Sequence, residues 1–291
     1  MNDCIKLLIP VVNEVFGKHY TGKEQIILQP NEHFIAQQDG KSQKRITDSS
    51  FKIIDDKGYE ERFLIEVQST SDNSMIVRIF EYAVQIALDA GSVAGNELTV
   101  SIPNASIIFL RSKRTTPDRM TINVQTPGGD VKFDVPVVKV KSYTLSDMFG
   151  KGLYFLLPFY IFNVENKFQK YESDSEELEK LKDEYVKFMA GLDKAVTDGE
   201  ISVYYRRVIL DMSKKVLEGL ARRYEKVQKE VKEIMGGRVL EHEGKTILNQ
   251  GIEQGIAIGE ERTLNAAIEF MRLNGMSNEQ IDSFRDLVLK S

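Results

Sequence analysis

A mixed α/β core followed by an all-helical C-terminal region is the fold class this sequence predicts, and three observations carry it. Across residues 1–165 the apolar pattern switches between the three-to-four-residue step of helices and the two-residue step of strands. From residue 166 to 233 the chain becomes rich in Lys, Glu and Leu and has no proline. With 42 % hydrophobic residues over 291 positions, there is enough apolar material to bury a sizeable core.

The elements follow in order. Cys4, Ile5, Leu8, Val11, Val12 and Val15 fall in one stripe at helical spacing, and Gly17 stands where a left-handed C-terminal residue belongs, so residues 4–16 read as an amphipathic helix. A short strand is predicted at 25–29, then a polar loop around Asp39 and Gly40, then two β-like runs at 45–54 and 59–68 separated by Asp56, Lys57 and Gly58. Met75, Ile79, Ala83, Ile86 and Ala90 predict a helix over 74–90, with Asn73 to cap its start and Gly91 to end it. Alternating and β-branched residues predict strands at 106–110, 120–125 and 131–140, broken by Pro127-Gly128-Gly129. Gly236-Gly237 interrupts the charged helical region, and Gly251, Gly255 and Gly259 then recur at every fourth position. That spacing lets two helix backbones approach closely. A helical hairpin ends the chain, turning at Asn274-Gly275, with Ser277 and Gln280 as a capping box. The expected organisation is a core over 1–165, a charged helical region over 166–235, and a glycine-spaced helix with terminal hairpin over 236–291. The helical C-terminal region is the expected route to a homo-oligomer.

Composition removes several classes of function. A single cysteine, Cys4, makes no intramolecular disulfide, so a reducing compartment such as the cytoplasm is expected. The apolar stretch 153–164 contains a proline and is shorter than the roughly 20 residues a bilayer span needs, so no membrane association is expected. The N-terminus carries Asp3 and no small-residue cleavage site, unlike a secretory signal. His19, His33 and His242 lack metal-ligand spacing, and neither a P-loop nor a Gly-rich dinucleotide fingerprint is present. A net charge of −5 argues against charge-driven nucleic-acid binding by the whole surface, although local basic patches remain compatible with it.

One constellation carries chemistry. In the strand 61–68, Phe63, Ile65 and Val67 share one face, while Leu64, Glu66 and Gln68 share the other. A carboxylate late in an apolar strand is expensive to bury without a metal, a cation or a proton to compensate it. If Asp56-Lys57-Gly58 form a three-residue hairpin loop with Gly58 in the left-handed position, paired residue numbers sum to 114, and Asp48 lies opposite Glu66. Directly opposed side chains have Cβ atoms about 4.5–5.5 Å apart, close enough for two carboxylates to share a divalent cation. The other reading makes Asp48 a turn residue and Glu66 a solvent-facing strand position. A one-residue slip would part the two.

The run Arg45-Ile46-Thr47-Asp48, then Phe51-Lys52-Ile53, then Leu64-Ile65-Glu66-Val67-Gln68, followed by a helix with Arg78, Tyr82 and Gln85, resembles the PD-(D/E)XK nuclease-family transposases, also called the Rpn family of recombination-promoting nucleases. The similarity covers residues 1–165, and the glycine-spaced tail is also typical of that family. The resemblance implies a restriction-endonuclease-like core, a mixed sheet flanked by helices, that hydrolyses DNA with Mg²⁺, or with Mn²⁺ as its substitute. It implies Asp48 and Glu66 as metal ligands, joined by the Val67 carbonyl, with Gln68 where the wider superfamily usually has lysine. Glu14 falls where the superfamily often sets another acidic ligand; a plain surface glutamate is the other reading. An amide at Gln68 orients water or phosphate through hydrogen bonds but brings no charge. The implied activity is that of a DNA endonuclease promoting recombination or transposition. A catalytically inactive nuclease-fold protein acting as a DNA-binding or assembly module is the alternative, and an RNA-directed nuclease a third.

Arg78, Tyr82 and Gln85, at steps of four and three, are read as one helix face opposite the Met75/Ile79/Ala83 stripe, able to meet a scissile phosphate or the Gln68 amide. Lys41, Lys44 and Arg45, and Arg111, Lys113, Arg114 and Arg119, form two basic clusters suited to DNA phosphates, or simply solvated.

Overall fold

The computed structural model describes residues 2–29, 32–36, 42–46, 49–70 and 74–236. The chain divides into two compact units, Met1–Met235 and Gly236–Ser291. Gly251, Gly255, Gly259 and the segment predicted as a terminal hairpin lie outside the described residues.

The first unit is built on a six-stranded mixed sheet in the order β1-β4-β5-β8-β10-β9. Its strands are β1 (Gln25–Leu28), β4 (Ser49–Ile54), β5 (Glu60–Thr70), β8 (Asn104–Arg111), β9 (Arg119–Thr126) and β10 (Gly129–Lys139). Two small hairpins stand apart from it: β2 (Glu32–Ala36) with β3 (Ser42–Ile46), and β6 (Ser92–Ala94) with β7 (Glu97–Thr99). The helices are α1 (Ile9–Phe16), α2 (Met75–Asp89), α3 (Leu145–Gly150), α4 (Phe168–Ser173), α5 (Ser175–Thr197), α6 (Val203–Leu220) and α7 (Glu225–Ile234). Among the described residues no helix is long and apolar enough to cross a membrane.

Local chemistry sets the β4–β5 hairpin. Gly58 takes φ +80°, a left-handed conformation that costs a residue bearing a Cβ. The Asp55 carboxylate accepts from the N–H groups of Lys57 and Tyr59 at 2.9 and 2.8 Å, closing the turn. The ladder then runs from Ile54↔Glu60 to Ser49↔Ile65, every pair summing to 114. The register derived from the loop holds over all described pairs; Asp48 lies outside the described residues.

β5, β8 and β10 are parallel neighbours, and α2 lies in the connection from β5 to β8. The buried Met75, Ile79, Tyr82, Ala83 and Ile86 of α2 pack on Leu64, Ala105, Ile107 and Phe109 of the sheet. The opposite face carries an aromatic cluster in which Phe63 meets Phe16, Tyr20 and Phe51 at centroid distances of 5.4, 6.1 and 5.6 Å.

Several expectations are corrected. Tyr82 belongs to the buried stripe of α2, because seven residues span nearly two turns and return it to within about 20° of Met75. The first helix is 3₁₀ over Asn2–Leu8 and becomes α-helical only at Ile9, next to Pro10, which has no N–H for the preceding turn. The run predicted as one strand at 45–54 divides between β3 and β4. β2 falls where the sequence predicts a polar loop, and the short β6–β7 hairpin, exposed at every position, turns on Gly95-Asn96 with Gly95 at φ +62°, a local signal the sequence reading passes over. Residues 1–235 form one compact unit. The 3₁₀ run Tyr154–Asn163, buried along most of its length, packs on β8, α3 and α6 and so ties the charged helices to the α/β core.

Candidate active site at the carboxyl end of the central strands

Along one face of β5, Leu64 is fully buried, Glu66 is buried, Gln68 is half-buried and Thr70 is exposed. The strand thus carries a polar series out of the core toward the end where β5 and β8 both finish. Ligand sites of open α/β sheets form at the carboxyl ends of parallel strands. Glu66 sits beside Ile107 in the ladder, and its side chain is only 1 % exposed. An ionised carboxylate that deep requires compensation. Arg78, in the first turn of α2, places its Nη2 3.6 Å from Glu66 Oε2 while its own side chain stays 40 % exposed.

Ser50 was not anticipated. It pairs with Leu64, so its side chain shares the Glu66 face, one ladder step away on the diagonal. It is 1 % exposed, and its hydroxyl finds no hydrogen-bond partner among the described residues. The loop-derived register already assigns Ser50 this face. A buried carboxylate beside an orphaned hydroxyl is an all-oxygen donor set, the kind a hard, hydrated divalent cation accepts. Among the described residues no three His, Cys, Asp or Glu side chains cluster as a metal-holding group. Asp48, the expected second carboxylate, is outside those residues.

The other predicted residues are placed as follows. Gln68 lies on the Glu66 face beside Phe109, whereas the half-buried Val67 side chain points to the other face. Gln85 borders the buried stripe of α2, and its amide donates to Asp89 at 2.7 Å, so it is engaged on its own helix. Arg111 donates from Nε to both Glu165 oxygens at 2.8 and 2.9 Å and lies over the Phe162 ring. That partnership ties the strand end to the helical region and removes Arg111 from the group open to phosphate. Arg119 likewise pairs with Asp134 at 3.1 Å. Lys113 and Arg114 are exposed in the loop after β8, at the sheet end where Gln68 surfaces. Lys44 and Arg45 lie on β3, known by its pairing to Phe34 and His33 of β2. Lys41 is outside the described residues. Glu14 accepts from Lys151, whose ammonium it holds above the ordinary lysine range, and from Tyr143 at 3.4 Å. Its helix packs Phe16 on Phe63, on the face of β5 opposite Glu66.

Two clefts lie elsewhere. One of about 260 Å³ is lined by Lys18, Tyr20, Asp55, Tyr59 and Glu61, and one of about 350 Å³ by Phe149, Tyr154, Gly191, Lys194 and Glu200. Comparison of the chain with known protein families, with curated proteins and with solved structures finds no match among any of them.

Proposed function

We propose that this chain is a divalent-metal-dependent DNA endonuclease with a restriction-endonuclease-like core, its site formed where β5 and β8 end. The observation that carries the reading is Glu66: a carboxylate removed from solvent between the buried Leu64 and the half-buried Gln68 on one face of β5, set beside an arginine at the sheet end where Gln68, Lys113 and Arg114 emerge. Glu66, with Asp48 assigned to it by the hairpin register alone and the Val67 carbonyl assigned by resemblance, is the group that would hold Mg²⁺, or Mn²⁺ in its place. When bound, such an ion supplies Lewis-acid polarisation of a phosphate oxygen and a water of lowered pKa. Gln68 orients water or phosphate through its amide without adding charge. Arg78, Lys113 and Arg114, with Lys44 and Arg45, supply sequence-independent contacts to DNA phosphates. We place this activity in the cytoplasm, in recombination or transposition, with the helical C-terminal region joining two copies.

Nicking of supercoiled plasmid by the purified full-length protein tests the reading. Nicked circles are expected with Mg²⁺ or Mn²⁺, and Glu66→Gln or Asp48→Asn should slow their formation by a factor on the order of 100 or more. Unchanged nicking by both variants overturns the assignment. The Glu66–Arg78 pair itself favours one other reading, in which Glu66 is a structural ion partner and the fold binds DNA without cutting it. Duplex binding by a wild type that never nicks would establish that reading.

A further inference from the structure

Glu66 and Arg78 are unequally exposed. The carboxylate is 1 % exposed, whereas the guanidinium side chain is 40 % exposed and stands 3.6 Å away, beyond the roughly 2.7–2.9 Å of a direct charge-assisted hydrogen bond. Met75 and Ile79, on either side of Arg78 in α2, are both fully buried and anchor the helix turn. Arg78 can therefore change partners by turning its own side chain while the backbone stays in place. A guanidinium and a divalent cation drawn to the same carboxylate repel each other, so each weakens the other's hold on Glu66. Turned outward, Arg78 would meet the sheet end where Gln68, Lys113 and Arg114 surface, and a guanidinium suits a phosphate there.

We infer that Arg78 is a displaceable counter-ion: it compensates Glu66 when no divalent cation is bound, and passes to a DNA phosphate when one arrives. The inference rests on the metal-dependent reading above and adds a coupling, since cation binding at Glu66 creates a phosphate-binding group. It also gives the site a reason for carrying an arginine that opposes its own metal.

The test measures Mn²⁺ affinity by electron paramagnetic resonance, and duplex DNA affinity by fluorescence anisotropy with and without Ca²⁺, on full-length wild type, Arg78→Ala, Arg78→Gln and Glu66→Gln. Both Arg78 variants should bind Mn²⁺ about tenfold more tightly, because the competing cation is gone. With Ca²⁺ present they should bind DNA about tenfold more weakly, and without it by less than about threefold, since Arg78 is then held by Glu66. This opposition of sign is what a merely structural arginine would not produce. If Glu66→Gln abolishes Mn²⁺ binding while the Arg78 variants bind it no more tightly than wild type, the counter-ion role is overturned and the metal reading stands. If Glu66→Gln leaves Mn²⁺ affinity unchanged, the metal reading itself fails. Tighter Mn²⁺ binding without any loss of DNA affinity overturns the transfer to phosphate.

Discussion

Two glutamates five residues apart on β5 meet opposite fates. Glu61, on the aromatic face near the start of the strand, accepts from Lys18 at 2.6 Å and from the Tyr20 hydroxyl, and its side chain is 16 % exposed. It fastens the segment after α1 to the sheet. Burial first, and then the Glu61 carboxylate, push the Tyr20 phenol above the ordinary tyrosine range. Glu66, on the α2 face near the end of the strand, is more deeply buried, yet its arginine stands off at 3.6 Å. For a purely structural ion pair, deeper burial should demand closer partners. The contrast sets a carboxylate held by its lysine at 2.6 Å against one whose arginine stands at 3.6 Å with its side chain 40 % exposed, the arrangement on which the proposed exchange of Arg78 rests.

Alkaline pH should give the largest effect, and it bears on the Glu61 side. Tyr20, Tyr154 and Tyr160 are all held above the usual value, by burial first and then by a hydrogen-bonded glutamate, and burial raises Tyr171 to about 12. Unfolded tyrosines ionise near pH 10. The folded state keeps these protons longer, so stability is intact below pH 10 and is lost as pH rises from 10 through about 12. Absorbance at 295 nm should show part of the 11 tyrosines ionising together with loss of far-ultraviolet dichroism. Titration of all of them near pH 10 in a still-folded protein contradicts this.

Phe63→Ala comes next. The ring is fully buried among Phe16, Tyr20 and Phe51, and its loss should cost about 3–5 kcal/mol in urea unfolding. A cost below about 1 kcal/mol would mean that this face is not a packed core.

The comparison itself is sharpened most by matched neutral variants in metal-free buffer. Glu61→Gln should lose about 1–2 kcal/mol, because Lys18 and Tyr20 both lose a charged acceptor. Glu66→Gln should change stability by less than about 0.5 kcal/mol, because it removes a desolvated charge and leaves Arg78 exposed to water. Equal losses in the two variants would erase the distinction drawn between them.

What the sequence determined by itself is local. Asp55, Gly58 and the two-residue alternation of β5 set the hairpin register and assign Ser50, Leu64 and Glu66 to one face, because turn dihedrals and strand pleat are decided within a few residues. The spacing of Met75, Ile79, Ala83 and Ile86 likewise located α2 and its buried stripe, and the Lys/Glu-rich composition announced the helices α4 to α7. Tertiary structure decided which charged groups are engaged. Arg111 reads as one of a basic cluster until Glu165, 54 residues later in the chain, is brought against it. Composition could not tell that the charged helices share a compact unit with the sheet; the packing of α6 on Tyr154–Asn163 makes it so. Nor could spacing in β5 alone reveal that Glu66 is buried beside an exposed arginine. Desolvation and ion pairing depend on which distant surfaces meet, and that apposition is settled only when helices and sheet pack together.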